Sequence, residues 1–302
     1  RYNTELRVKV GAELMAVLNG ESLEFTPMLT DSPLARIHYL VRAKGRAPTT
    51  VNLPALEARI EKLAQRWEDE CTAELLRAHG EGQGLLLANR FASAFPIAYR
   101  EHFSAAVAAE DAGMLVALCS DTPLIVRLYR PLNAAPGLLR FKIYNTAKVA
   151  LSDSLPLLEN MGARVLDEHP YDIGSEDLWI HDIGLQMPPA TELSEIKSRF
   201  EALFVQVWRG EVETDNLNKL VLVSALDARQ ISVLRAYTRY FKQLGFAFSQ
   251  AYIEDALIRH ASIAQDIIAL FQTRFDHQQD SDHYQAQADL RQRLGASLSE
   301  VA

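Results

Sequence analysis

The segment from Leu138 to Met187 constrains this chain most, because its apolar period changes from strand to helix and back within one short stretch. In LLRFKIYN, Leu139, Phe141 and Ile143 alternate with Arg140, Lys142 and Tyr144, the period-2 pattern of a half-buried strand. Ser152 then stands where a helix N-cap belongs, and Pro156 is placed in the first turn, where proline is tolerated. Gly162 ends the helix as a C′ glycine. Two further strands, ARVLDEHPYDI and LWIHDIGLQ, join through the polar turn Gly174, Ser175, Glu176 and Asp177. A long helix follows at 191 to 210, with Phe200, Leu203, Phe204 and Val207 on one face. The sheet should bury a share of Val165, Leu166, Trp179, Ile180, Ile183 and Leu185 under that face. The fold class is α+β, with a small antiparallel sheet that carries helices on one face.

The N-terminal part repeats this order weakly. Residues 4 to 19 place Leu6, Val10, Leu14, Val17 and Leu18 on one helical face, and Gly20 ends the run. SLEFTPMLT and LARIHYLVR read as strands around Asp31, Ser32 and Pro33, and one long helix runs from Ala55 to Gly80. Trp67 and Trp208 take matching places in the two units. Between the units, residues 85 to 111 read as helix, broken or kinked at Pro96, and a hairpin from LIVRLYRP feeds the second unit. Helices are expected at 215 to 226, 228 to 244, 249 to 259 and 262 to 275. The expected organisation is a partial module at 1–79, a helical linker at 80–115, a second module at 116–212, a helical connector at 213–276 and a polar tail at 277–302. The tail reads as a loop or a mobile helix.

The net charge of -8 gives no basic footprint for nucleic acid or an anionic membrane, so neither is expected as a partner. Cys71 and Cys119 lack metal or redox spacing and read as reduced thiols of a cytoplasmic protein. No apolar run reaches transmembrane length. The opening at Arg1, already inside a patterned segment, suggests a piece of a longer polypeptide.

Few residues suggest chemistry. The glycines of His79 to Gly84 follow a helix rather than a strand, which argues for an interhelical loop and against a phosphate cradle. His277 and His283 share an acidic tail with Asp276, Asp280 and Asp282, but a metal needs a preorganised cage, so no metal site is expected. His169 and His181 fall on adjacent strands, where they would face each other across the ladder, and structural roles are expected for both. Asp167-Glu168 and Glu176-Asp177 are taken as solvated strand ends.

Several stretches resemble the large, multi-domain NAD-dependent glutamate dehydrogenases of bacteria. They are SPLARIHYLVR, RWEDE with FPIAYRE, LSDSLPLLENMGARVLDEHPYDI with LWIHDIGLQ, and the run from Asn218 to Asp276. They occur in order over nearly the whole chain. The resemblance implies ACT-like βαββαβ-type modules and a helical connector lying upstream of a catalytic domain. It also implies a longer enzyme that oxidises L-glutamate to 2-oxoglutarate and ammonia with NAD. The lysine-bearing glycine-rich loop and the dinucleotide-binding unit of such a catalytic domain are not found in these residues, so no catalytic residue and no bound cofactor are expected here. The implied partners are the enzyme's own catalytic domain and other subunits, in a homo-oligomer that could be a tetramer, together with an amino-acid effector. In ACT-type modules the effector sits by the loop after the first strand, here Asn145, Thr146 and Lys148 leading to Ser152 and Asp153. A purely architectural role and a free-standing regulator are the alternatives.

Overall fold

A computed structural model describes residues 4–28, 36–43, 45, 51–64, 66–118, 121–132, 134–174, 177–188, 191–275 and 282–301. They form two compact units, 1–92 and 93–302.

In the first unit, helix α1 (Thr4–Val17) precedes an antiparallel pair, β1 (Gly20–Met28) and β2 (Arg36–Ala43), and helices α2 (Leu53–Ala64) and α3 (Trp67–Phe91) follow. The order helix, strand, strand, helix is the expected one; the hairpin tip at 31–33 lies outside the described residues. The single long helix expected from Ala55 to Gly80 is instead interrupted. Arg66 is extended, and Trp67 opens α3 rather than closing a helix as Trp208 does. The second difference is Gly80, whose φ of 75° and ψ of 171° break α3. The chain doubles back there. A Cβ added to Gly84 would lie 2.6 Å from the Leu76 Cα and 2.7 Å from the Leu75 carbonyl oxygen. The glycine run from Gly80 to Gly84 therefore forms the corner between the two helical arms of a hairpin, in keeping with the interhelical reading. Cys71, Leu75, Leu87 and Phe91 are buried in its two arms.

The second unit opens with α4 (Ile97–His102), whose N-cap is Pro96, and α5 (Ala105–Ala117), capped by the Ser104 side chain. Pro96 thus breaks the helical run as expected. The four-stranded antiparallel sheet follows, in the order β3-β4-β6-β5. Its strands are β3 (Leu124–Tyr129), β4 (Leu138–Asn145), β5 (Arg164–Ile173) and β6 (Leu178–Gln186), with α6 (Leu151–Asn160) between β4 and β5. Helix α7 (Leu193–Trp208) presents Phe200, Leu203, Phe204 and Val207, all buried, to Leu139, Phe141 and Leu185 of the sheet. A 3₁₀ turn (Asn216–Lys219) and helices α8 (Leu220–Val223), α9 (Ala228–Gln243), α10 (Gln250–Arg259), α11 (Ala261–Phe275) and α12 (Asp282–Val301) complete the chain. The polar tail is therefore helical from residue 282. His277 lies outside the described residues, as does the side chain of His283.

One apolar core runs from the sheet through α6 and α7 into α8, α9 and α11, where Leu220, Ile231, Leu234 and Ile268 are buried. The segment expected as a connector thus shares its core with the module before it. At their joint Arg235, buried, donates through Nε and Nη2 to both carboxylate oxygens of Asp215 (2.6 and 3.0 Å) and through Nη2 to Asn218 (2.7 Å). Only a planar guanidinium makes that fork.

Three local expectations change. Helix α6 begins two residues early: Ala150 is the extended N-cap, with no side-chain cap, so Ser152 lies inside the first turn and Pro156 in the second. Gly162, with φ of 88°, follows the C-cap as expected. The third change is in β5, where a bulge lies between Val165 and Asp167. Without the extra residue, His169 would stand opposite His181. With it, His169 pairs with Asp182 and His181 with Pro170, so the two histidines are on opposite faces. Leu166, the bulged residue, is half exposed, while Ile183 and Leu185 lie in the core and Ile180 is buried on the other face.

Both sheet edges are protected. On β3, the Leu128 N–H donates to Glu201 Oε1 (2.6 Å), and Lys197 Nζ donates to the Leu128 carbonyl (2.6 Å). On β5, Pro170 and the bulge interrupt the outer row of donors.

Candidate effector loop and buried charge centre

The loop from Asn145 to Ala150 leads from β4 into α6, and its end is pinned from below. The Val149 N–H donates to His181 Nε2 (3.1 Å), and His181 Nδ1 meets Glu168 Oε1 (2.7 Å). Since Nε2 accepts, the ring hydrogen is on Nδ1 and points to the carboxylate. Glu168 is therefore not a solvated strand end; it orients the histidine that holds the loop. The side chains named from the sequence sit above this anchor. Asn145 Oδ1 accepts from the Thr146 N–H (2.8 Å), and Thr146, Lys148, Ser152 and Asp153 are exposed. Lys148 Nζ lies 5.4 Å from the Trp179 ring centre. Ser152 Oγ lies 3.3 Å from Asp153 Oδ1, which leaves the opening turn of α6 without a side-chain cap. All five residues fall between the end of β4 and the first turn of α6, a helix N-terminus whose amide donors and positive dipole end favour a carboxylate.

The opposite face of the sheet holds a feature that the sequence reading missed. Arg140, Lys142 and Tyr144 were assigned to a solvent face, but Lys142 is 2% exposed and Tyr144 is fully buried. The covering residue is Asp111 of α5, itself 0% exposed. One Asp111 oxygen accepts from Lys142 Nζ and from Tyr99 Oη (2.5 Å), the other from Tyr144 Oη (2.7 Å). The ring centres of Phe103, Tyr129 and Tyr99 lie 3.9, 5.5 and 5.7 Å from the Lys142 amine, so the cation is held by a carboxylate and an aromatic cage together. Burial, with Asp111 next to it, pushes the Tyr144 hydroxyl well above its ordinary pKa. The available signal was the pair of acids Glu110 and Asp111 inside the otherwise apolar helix AAVAAEDAGMLVA, of which Asp111 is the buried one.

Beside this centre, Asp182 accepts from Arg140 Nε (2.6 Å) and Tyr129 Oη (2.8 Å), and Arg140 also reaches Asp167 (2.9 Å). Asp167, too, is paired rather than simply solvated. His102 Nδ1 lies 2.6 Å from the Tyr171 hydroxyl, which burial pushes up to about 12. A cleft of about 630 Å³, lined by His102, Tyr129, Arg140, His169 and Asp182 among others, opens there. Arg140 and Asp182 are already paired with each other there, so the arrangement registers α4 and α5 on the sheet.

Four family models match the chain in order: glutamate dehydrogenase ACT2 domain over 1–68, helical motif 2 over 74–118, ACT3 domain over 123–197 and helical motif 3 over 212–277. NAD-specific glutamate dehydrogenases of Halomonas elongata and Pseudomonas aeruginosa are 37% and 33% identical over 280 residues, and that of Mycobacterium tuberculosis is 31% identical over 297. Each alignment covers 91% of this chain, while the chain spans only 17–18% of the length of these relatives.

Proposed function

Taking this chain as the ACT2-to-helical-motif-3 segment of a large NAD-specific glutamate dehydrogenase, which its sequence matches in order, we propose that it is a non-catalytic segment for regulation and assembly. The longer cytoplasmic enzyme would deaminate L-glutamate oxidatively to 2-oxoglutarate and ammonia, with NAD bound outside these residues. The partners would be its own catalytic domain and further subunits of a homo-oligomer.

The observation that carries the regulatory part is the uncapped N-terminus of α6, framed by Asn145, Thr146, Lys148, Ser152 and Asp153 and set on the His181–Glu168 anchor. An amino acid would place its carboxylate on the free amides and Lys148, and its ammonium on Asp153. The experiment is calorimetric titration of the chain with the common amino acids, repeated on Asn145→Ala and Asp153→Ala, together with an assay of glutamate-dependent NAD reduction. The expected results are no turnover and binding that either substitution weakens. Turnover by this chain would end the non-catalytic reading, and binding unchanged by both substitutions would place the effector elsewhere.

A purely architectural role is the second reading. It is favoured by the single core that joins the ACT3 sheet to helical motif 3, and complete absence of amino-acid binding would select it.

A further inference from the structure

Helical motif 3 carries a surface that the described residues leave uncovered. Around the end of α9 and the start of α10, Tyr240, Phe241, Leu244, Phe246, Phe248 and Tyr252 are 42–64% exposed. They are not scattered. Phe241, Phe246, Phe248 and Tyr252 form a chain of ring contacts, with centres 5.6, 5.4 and 4.9 Å apart, and Tyr240 and Leu244 are one helical turn apart. At about 200 Å² for each aromatic side chain, they expose roughly 600 Å² of mostly apolar surface, the upper end of what a monomer shows and most of one side of a standard interface.

The charges near the rings are mixed: Arg239 pairs with Glu213, Lys242 is exposed on α9, and Glu254 and Asp255 follow Tyr252. The relatives are between five and six times as long as this chain, so most of such a polypeptide lies outside the segment described. We infer that this aromatic patch is the docking surface for an apolar face carried elsewhere on the same longer polypeptide. The inference rests on the proposal that the chain is a segment of such an enzyme.

The test is hydroxyl-radical labelling of the rings between Tyr237 and Tyr252, in the 302-residue chain and in the longer polypeptide that carries it. Labelling should slow about tenfold or more in the longer polypeptide, independent of its concentration, as for a surface closed by a stable intramolecular contact. Phe246→Asp with Phe248→Asp, at two half-exposed positions, should leave the melting temperature of the 302-residue chain unchanged and restore fast labelling in the longer one. Equal labelling in both forms overturns the inference, and so does slow labelling that persists in the double variant. Protection of the chain that rises with its own concentration would assign the patch to a second copy instead, and protection only by anionic phospholipid vesicles to a membrane surface; either overturns it. Glutamate-dependent NAD reduction by the longer polypeptide is read separately: its absence would sink the enzymatic reading and leave the labelling result standing.

Discussion

Lys142 and Asp111 are each other's charge compensation in a place that water does not reach. Removing one leaves the other buried without its partner, which typically costs about 3–5 kcal/mol, whereas replacing both with apolar groups of similar volume is often neutral. Lys142→Met should therefore lower stability by about that amount in urea melts, and Lys142→Met with Asp111→Leu should recover most of it. Equal losses in the single and double variants would mean that the pair is not coupled. Asp182 behaves differently, because burial raises its pKa from 3.8 despite the opposing pull of Arg140. Such a carboxyl binds its proton more tightly folded than unfolded. Its contribution to stability then falls as pH rises through the interval between the two values. Asp182→Asn is neutral throughout, so the stability of the native chain relative to this variant should decline as pH rises from about 4. Denaturant melts at a series of pH values give the sign, and a relative stability that climbs with pH would contradict it.

Among the elements, α7 is the one whose role was plainest from its pattern. Phe200, Leu203, Phe204 and Val207 fall on one face because the helical period puts them there, and all four are buried. Leu203→Ala should cost about 2–5 kcal/mol in denaturant melts, as core leucine truncations do; a loss near zero would remove α7 from the core. The α3 corner depends on contact rather than on pattern. Gly84→Ala would force a methyl against the Leu75–Leu76 backbone, with an expected loss of about 1–3 kcal/mol. The strand–helix–strand–strand order was legible because the apolar period switches with each element. The second face of β4 was not, because Arg140, Lys142 and Tyr144 alternate the same way whether that face meets water or α5. The bulge at Leu166 was also invisible, since one extra residue leaves composition and period nearly unchanged while moving His169 to the other face. For the effector loop, the sequence located the turn, but the anchor beneath it required His181 and Glu168 to be seen on the same face.

At the scale of the whole molecule, the second unit has one core across the ACT3 sheet and helical motif 3. Ile231→Ala, at a buried site in α9, should accelerate hydrogen exchange of the slowest β6 amides, as Leu203→Ala does, because both report one cooperative opening. Exchange confined to α9 would show two independent parts. The protected edges of the sheet bear on how such a chain behaves at high concentration. LIVRLY of β3 is short, apolar and rich in strand formers, the composition that stacks into fibrils when its outer amides are bare. Lys197 and Glu201, one helical turn apart on α7, occupy both outward-facing groups of Leu128. The same helix that closes the core thus doubles as a guard against fibre growth, so a surface charge reversal at either residue, harmless by any count of lost ion pairs, would shorten the time the protein stays in solution.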